Sequence, residues 1–542
     1  MTVPEIEQRI LQRNARAITA MRRAYQEQRF GLVLGAGVSR GFDFHVPDWK
    51  ELIDRLASHP KVEGTKVDSA KASLSARADL LYRHYSSRVR DEIASFPSSE
   101  RIDEHTAEHI AKGEWRALIR ELLYAESPRP EQLCDHHPYL REYLEIIVNS
   151  PLTITYNFDS YIEMMLATRS GGGDSRGRSY ETVFDGAKPF RSKSGVIYHP
   201  NGYLPQNVLE RASDELVFSE EEFGDQLLAS MAGYYSSLAH HLSKSTCLFV
   251  GLSLTDENLR LLLRRNAVNN PGHFHYLVDW RNPGDPPTPE REAALFDYRF
   301  KVYNLVTLPL DNEEIAALGR LLQMSYGDFQ KMAKLAGVPT KYVYYLTGIP
   351  GIGKTTVLRH MASLSIYDEW MSDPLPLLAK PHSELSDDDQ TLLDEWVAKQ
   401  IRDKNESLLR EKEGIFIVER GPLDPISFVE SGMIAEKASW FRPRVVPTSF
   451  DRICDGAVVL LWGDEAKVSA RIASRQTIQQ PPRYLAELQG RLRTTVYKSD
   501  GVHEMHSTDW SIPELVRGVV DIVHRREYSP ADINAQLLKL TK

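Results

Sequence analysis

Two glycine loops hold the residues best suited to chemistry. Gly348-Ile-Pro-Gly351-Ile-Gly353-Lys354-Thr355 matches the P-loop pattern G-x-x-x-x-G-K-[ST] in full. Backbone N–H groups of such a loop, and of the helix after it, face phosphates. Lys354 would reach the β- and γ-phosphates of ATP, and Thr355, followed by Thr356, would ligate Mg²⁺. Further along, the apolar run Ile415–Val418 ends in Glu419-Arg420-Gly421-Pro422-Leu423-Asp424. A carboxylate at the C-terminal end of a parallel strand points into the ligand crevice. Glu419 could therefore hold Mg²⁺ or act as a base, and Arg420 could hold a phosphate. Arg471 and Arg475, four residues apart on one helix face, could close over a phosphoryl group, a solvated helix face being the alternative for either.

The other loop, Gly35-Ala36-Gly37-Val38-Ser39, lacks the third glycine of the dinucleotide fingerprint and is weak alone. It gains from three partners that also follow apolar runs: Thr155-Tyr-Asn157-Phe-Asp159, His199-Pro-Asn201-Gly202 and Gly251-Leu-Ser253. Asn157 offers a donor and an acceptor on one amide. His199 is of the residue type that titrates near neutrality.

These loops need strands to carry them. Both glycine loops follow short β-branched or aromatic runs, Phe30–Leu34 and Tyr342–Thr347, and lead into helical patterns. Strands are expected at Leu152–Tyr156, Val196–His199, Leu216–Phe218, Cys247–Gly251 and Phe274–Asp279, with helices between several of them. Trp49–Val148 reads as mostly helical, and Lys301–Leu308 as a possible last strand of the first sheet. In the second half the expected strands are Tyr342–Thr347, Ile415–Glu419, Ala457–Trp462 and Val502–His506. The expected helices there are Lys354–Ser363, Asp388–Lys412, Asp464–Ser474 and Ile512–His524. Strands alternating with helices imply parallel sheets covered on both faces. The fold class is α/β, with one Rossmann-like unit over about 1–340, carrying a helical insertion at about 50–150, and a P-loop unit over 341–542.

Length and composition agree. The chain has 542 residues, 42% hydrophobic and 26% charged, with a net charge of −9. That balance argues against a broad nucleic-acid face and favours small phosphate-bearing ligands. Three scattered cysteines, Cys134, Cys247 and Cys454, exclude a disulfide framework and a four-cysteine zinc site, and fit a reducing cytoplasm. No apolar run approaches membrane-spanning length. The N-terminal stretch carries early glutamates and lacks an apolar signal segment. Its six arginines before Gly31 are expected on the wet face of an amphipathic helix, with Ile6, Ile10, Leu11, Ile18 and Met21 as its apolar stripe, a transit peptide being the lesser alternative.

Two resemblances extend this reading. Residues 342–526 resemble the thymidylate and deoxynucleoside kinase type of P-loop enzyme, with Gly421 departing from the usual residue after the strand-end arginine. Residues 29–279 resemble the sirtuin family: GAGVS stands for its glycine loop, Val46-Pro47-Asp48-Trp49 for its P-D-F segment, TYNFD for T-Q-N-I-D and His199 for its catalytic histidine. The absent zinc cysteines make the chain similar to bacterial sirtuin-like NADases of anti-phage defence rather than to deacylases. That resemblance implies NAD⁺ as substrate, with Asn157 and His199 catalytic. Gly35, Ala36, Gly37 and Ser39 would then hold the pyrophosphate. Gly251, Ser253 and Asp279 would serve the adenosine half, and Asp48 would bind NAD⁺ or cap a helix. The expectation is an NADase of abortive infection, self-associating in the cytoplasm and answering to a phage-derived trigger. ATP and Mg²⁺ would be bound by a domain that senses or phosphorylates a nucleotide. A nucleotide kinase regulated by NAD⁺ or ADP-ribose is the alternative, and a non-enzymatic nucleotide-gated assembly ranks last.

Overall fold

A computed structural model describes residues 3–62, 73–95, 102–170, 180–184, 195–213, 216, 235–254, 257–282, 289–361, 363–380, 384–474 and 481–542. The protein is α/β, with two all-parallel sheets. The first has seven strands: β1 Phe30–Leu34, β2 Leu152–Thr155, β3 Glu181–Val183, β4 Val196–Tyr198, β5 Thr246–Val250, β6 His275–Trp280 and β7 Leu305–Leu310, in the order β3-β4-β2-β1-β5-β6-β7. The second has five: β8 Lys341–Gly348, β9 Ser365–Tyr367, β10 Gly414–Glu419, β11 Ala457–Trp462 and β12 Val502–His506, in the order β12-β11-β8-β10-β9. The central strands read FGLVL, GIFIVE and AVVLLW, and nearly every residue in them is buried, as helices on both faces of a sheet require.

Each sheet has one place where successive strands switch sides. In the first it lies between β1 and β5, in the second between β8 and β11. Ligands of open parallel sheets bind at the strand C-termini beside such a switch. Both glycine loops leave the sheet there.

Most expected strands lie within a residue or two of their places. The span between β1 and β2 is helical, with Trp49–Ala57, Leu74–Ala94, Glu104–Leu123 and Leu144–Asn149. The short strands β3 and β9 were not expected. The last strand of the first sheet, β7, follows a helix that extends to Tyr303 and so starts at Leu305. The helix after the second glycine loop ends at Leu358, because the chain turns tightly through His360 and Met361 toward β9. An expected strand at Leu216–Phe218 falls largely outside the described residues, and Arg475 falls outside them altogether.

The N-terminal helix Val3–Gln26 differs most from expectation. Its apolar stripe is buried as expected, but its arginines do not all lie on a wet face. Arg22 is 0% exposed. Its Nε donates to Glu413 at 2.5 Å and its Nη2 to Met324 O at 3.0 Å, and its guanidinium lies 3.9 Å from the ring centre of Phe329. Arg16 donates to Val523 O at 2.8 Å, at the end of the helix Ile512–His524. The helix is therefore a bracket. It packs on the helix Asn312–Gln323 that follows the first sheet, and its arginines reach into the second unit. The units also touch where Gly272 lies so close to His360 O that a Cβ would sit 2.2 Å from it.

Candidate active site

At the first switch point the glycine loop is pressed onto β5. The Gly35 and Gly37 amides donate to Val250 O at 3.0 Å and Gly251 O at 2.9 Å. A Cβ on Gly37 would lie 2.8 Å from the Gly251 Cα, and one on Gly35 2.6 Å from the Gly251 carbonyl. Gly251 has φ +70°, and a Cβ there would meet the Val38 amide at 2.4 Å. Glycine at 35, 37 and 251 is thus required by close approach of two backbones. Ala36 opens the short helical turn Ala36–Ser39.

The loop is tied to the end of β2 by side chains. Asn157 Nδ2 donates to Gly35 O at 3.2 Å and to Ser39 Oγ at 2.8 Å. Ser39 Oγ in turn donates to Asp159 at 2.7 Å. Burial drives the Asp159 carboxyl up to about 6, against the pull of the Ser39 hydroxyl. On the other side, His199 at the end of β4 donates from Nδ1 to the Asn157 carbonyl at 3.0 Å, and its Nε2 lies 2.9 Å from Glu163 Oε1. Both neighbours of the ring are acceptors, so the arrangement is complete when both nitrogens carry protons. Burial opposes that charge, but the Glu163 carboxylate outweighs it and His199 is raised above an ordinary imidazole. The ring is 0% exposed.

Glu163 was not singled out in the sequence. It lies on the helix Tyr161–Ser170, in the run Tyr161-Ile-Glu163-Met-Met-Leu, and is itself buried. An acid inside an apolar helical run was the available signal, since buried carboxylates need partners. The structure thus joins Gly35, Gly37, Ser39, Asn157, His199 and Gly251 directly and adds Asp159 and Glu163. Three other expected residues are less closely tied. Asp48 caps the helix Trp49–Ala57, accepting from the Glu51 amide at 2.8 Å, and pairs with Arg40 at 3.3 Å. Asp279 in β6 pairs with Arg299 at 2.8 Å. Ser253 follows Gly251 on the loop after β5.

At the second switch point Gly348, Gly351 and Gly353 have φ of +139°, +76° and +119°, the left-handed conformations that let the loop curl. Lys354 is buried, and its Nζ donates to Gly348 O at 2.8 Å and Ile349 O at 3.0 Å. Burial lowers it to about 8. Thr355 Oγ1 lies 2.5 Å from Glu419 Oε1, and Thr356 follows on the same helical turn. This pair of oxygens suits a hard cation that also draws on phosphates and water, as Mg²⁺ does. Arg420, at φ +65°, turns its guanidinium back to Glu369 at 2.5 Å. Arg471 donates to Thr508 O at 3.4 Å. Gly421 has a local cause: a Cβ there would lie 2.0 Å from the Tyr497 hydroxyl. That hydroxyl donates to Asp424 at 2.7 Å, and the cavity beside Arg420, Gly421 and Lys404 amounts to about 30 Å³.

Residues 151–303 match a family model described as a SIR2-like domain. The match runs from β2 through the helix Pro289–Tyr303. It therefore includes Asn157, Glu163, His199 and Gly251. SIR2-like domains are NAD-dependent enzymes, and the match points to NAD-related activity for this region. No curated protein matches the chain. Among the described residues no helix is long and apolar enough to cross a membrane, and no three His, Cys, Asp or Glu side chains gather as a metal site.

Proposed function

We propose that the first unit cleaves NAD⁺ to nicotinamide and ADP-ribose, and that the P-loop unit binds ATP with Mg²⁺ and regulates it. The observation that carries this reading is the Asn157 junction. One side-chain amide fastens the glycine loop and Ser39, while the same residue's carbonyl holds His199. Nicotinamide leaves NAD⁺ with the electron pair of the C1′–N bond, through an oxocarbenium-like state. Water then adds at C1′ and gives up a proton. Asn157 orients the ribose or that water. Proton acceptance falls to the His199–Glu163 pair in its singly deprotonated form, with His199 neutral and the former Nε2 proton already given up to solvent. Ala36, between two glycines pressed onto β5, lets the pyrophosphate approach the backbone. Gly251, Ser253 and Asp279 lie on the adenosine side.

An activity that destroys NAD⁺ needs restraint, which motivates a role in anti-phage defence with a phage-derived trigger and self-association in the cytoplasm. Lys354, Thr355 and Glu419 are the groups that would meet the ATP phosphates and Mg²⁺. This unit senses or phosphorylates a nucleotide. The test is chromatography of NAD⁺ incubated with the protein and each nucleotide in turn. The reading expects nicotinamide and ADP-ribose, with a nucleotide response that Lys354→Ala removes. A phosphorylated acceptor from a nucleoside or nucleotide panel, without NAD⁺ loss, would favour the kinase alternative.

A further inference from the structure

His137 lies outside residues 151–303 and takes no part in the cleavage step, yet it is bonded to the first glycine loop. It stands between the short turns Pro130–Gln132 and Leu140–Tyr143 and is 4% exposed. Its Nε2 donates to Val38 O at 2.8 Å, and its Nδ1 accepts from the Leu140 amide at 2.9 Å and the Tyr139 amide at 3.3 Å. A carbonyl at one nitrogen and amides at the other leave a single arrangement, a neutral ring with its proton on Nε2. Burial acts in the same sense and lowers the imidazole to about 4. The rings of Phe42 and Tyr139 stand edge-on to it, 4.6 Å and 4.5 Å between centres, and fix its plane. The preceding His136 holds the same stretch of chain. Its carbonyl accepts from the Asp43 amide at 3.0 Å, and its Nδ1 lies 2.6 Å from the Asp43 carboxylate.

The bond to Val38 bears on the site because a trans peptide is planar, with its C=O and N–H directed oppositely. Holding the Val38 carbonyl therefore aims the Ser39 amide away from His137. It also sets where the Ser39 side chain starts, and that hydroxyl meets Asn157 at 2.8 Å and Asp159 at 2.7 Å. Asn157 and Gly251 fasten the loop at Gly35, Gly37 and Ser39, and His137 fastens it at Val38. We propose that His137 is a positioning residue of the NAD⁺ site, presenting the turn Ala36–Ser39 to the pyrophosphate through its bond to Val38 O. The proposal rests on the reading that the first unit binds NAD⁺. His137 acts through the turn and exchanges no proton with the substrate.

Two substitutions separate its two bonds. In His137→Gln the side-chain amide nitrogen can stand where Nε2 stands and donate to Val38 O. In His137→Asn the amide oxygen can stand where Nδ1 stands and accept from the Leu140 amide, while the bond to Val38 is lost. The test is isothermal titration calorimetry of the full chain with ADP-ribose, which carries the pyrophosphate and is not consumed, beside thermal melting of each variant. Each variant loses a buried hydrogen bond, so both should melt below wild type. His137→Asn should bind ADP-ribose about tenfold more weakly, and His137→Gln should bind within about twofold of wild type. The proposal is overturned if His137→Asn binds as wild type does, or if both variants lose affinity in step with their melting, as a residue of packing alone would. If His137→Asn does not fold, Gly41→Ala carries the test. Its Cβ would lie 3.0 Å from both His137 Nε2 and Val38 O and would press on the same bond. It should weaken binding by about threefold or more, and wild-type affinity there overturns the proposal. Absence of both ADP-ribose and NAD⁺ binding in wild type overturns the NAD⁺ reading itself, and this proposal with it, so the two failures are distinguishable.

Discussion

Replacing Arg22 by Met tests the bracket that joins the two units. The substitution keeps an unbranched apolar side chain on the helix while removing a buried charge. Arg22 is 0% exposed and Glu413 4% exposed, so the variant leaves the Glu413 carboxylate buried without its cation. It also removes donors from the Leu321 and Met324 carbonyls and the stacking on Phe329. Breaking a buried pair by removing one partner costs about 3–5 kcal/mol. Losing both charges together costs much less, and the double variant Arg22→Met/Glu413→Met should be more stable than either single one. Urea unfolding followed by tryptophan fluorescence and by circular dichroism would read this. The single variants should unfold at lower urea, with the two probes no longer coincident as the units separate. A loss within about 1 kcal/mol for Arg22→Met, or simple additivity in the double variant, would refute the bracket.

Three further outcomes follow from the geometry. Gly37→Ala places a methyl 2.8 Å from the Gly251 backbone, which cannot yield as a side chain would, so it should cost about 1–3 kcal/mol and lower NAD⁺ affinity. Calorimetric melting and NAD⁺ titration check this, and wild-type values would count against the two-backbone contact. Burial raises Asp159 to about 6, so the folded state favours its protonated form, a contribution complete below about pH 4 and lost as pH rises through about 6. His199 acts in the same direction: it is raised by Glu163 against burial, and its contribution is present below about pH 6.5 and lost as pH rises through its folded value. Asp159→Asn should flatten the fall in melting temperature between pH 4 and 6, and parallel wild-type and variant curves would contradict this. Gly421→Ala should push the Tyr497 hydroxyl off Asp424 at about 1–3 kcal/mol, and Tyr497→Phe in the same chain should restore part of the loss. Denaturant midpoints measure both, and an unaffected single variant would exclude the clash.

Much of the architecture was legible because parallel strands buried on both faces are continuous apolar runs. β11 and β12 lie at Ala457–Trp462 and Val502–His506 as expected, and the helix Ile512–His524 agrees at both ends. Three-residue edge strands such as β3 and β9 leave no such run. The stretch Asn312–Ala336 forms two helices, because Ser325 caps the second. The strand-end residues Gly35, Asn157, His199 and Gly251 were readable because each follows an apolar run, and parallel strands gather such ends on one rim. Glu163 was not, since its partner His199 is 36 residues away and only the folded sheet brings them together. Arg22 misled because an arginine in an amphipathic helix is normally solvated. Its buried partner Glu413 lies in the other unit, beyond the reach of periodicity.

The rim holding Asn157 and His199 is proposed to destroy NAD⁺. The most direct measurement is nicotinamide release from NAD⁺ by the purified full chain, with and without ATP and Mg²⁺, beside Asn157→Ala and His199→Ala. Wild type should release nicotinamide under at least one nucleotide condition, and each variant should lose at least about a hundredfold, the scale at which positioned catalytic groups act. Equal release by wild type and both variants, or none under any nucleotide condition, would contradict it.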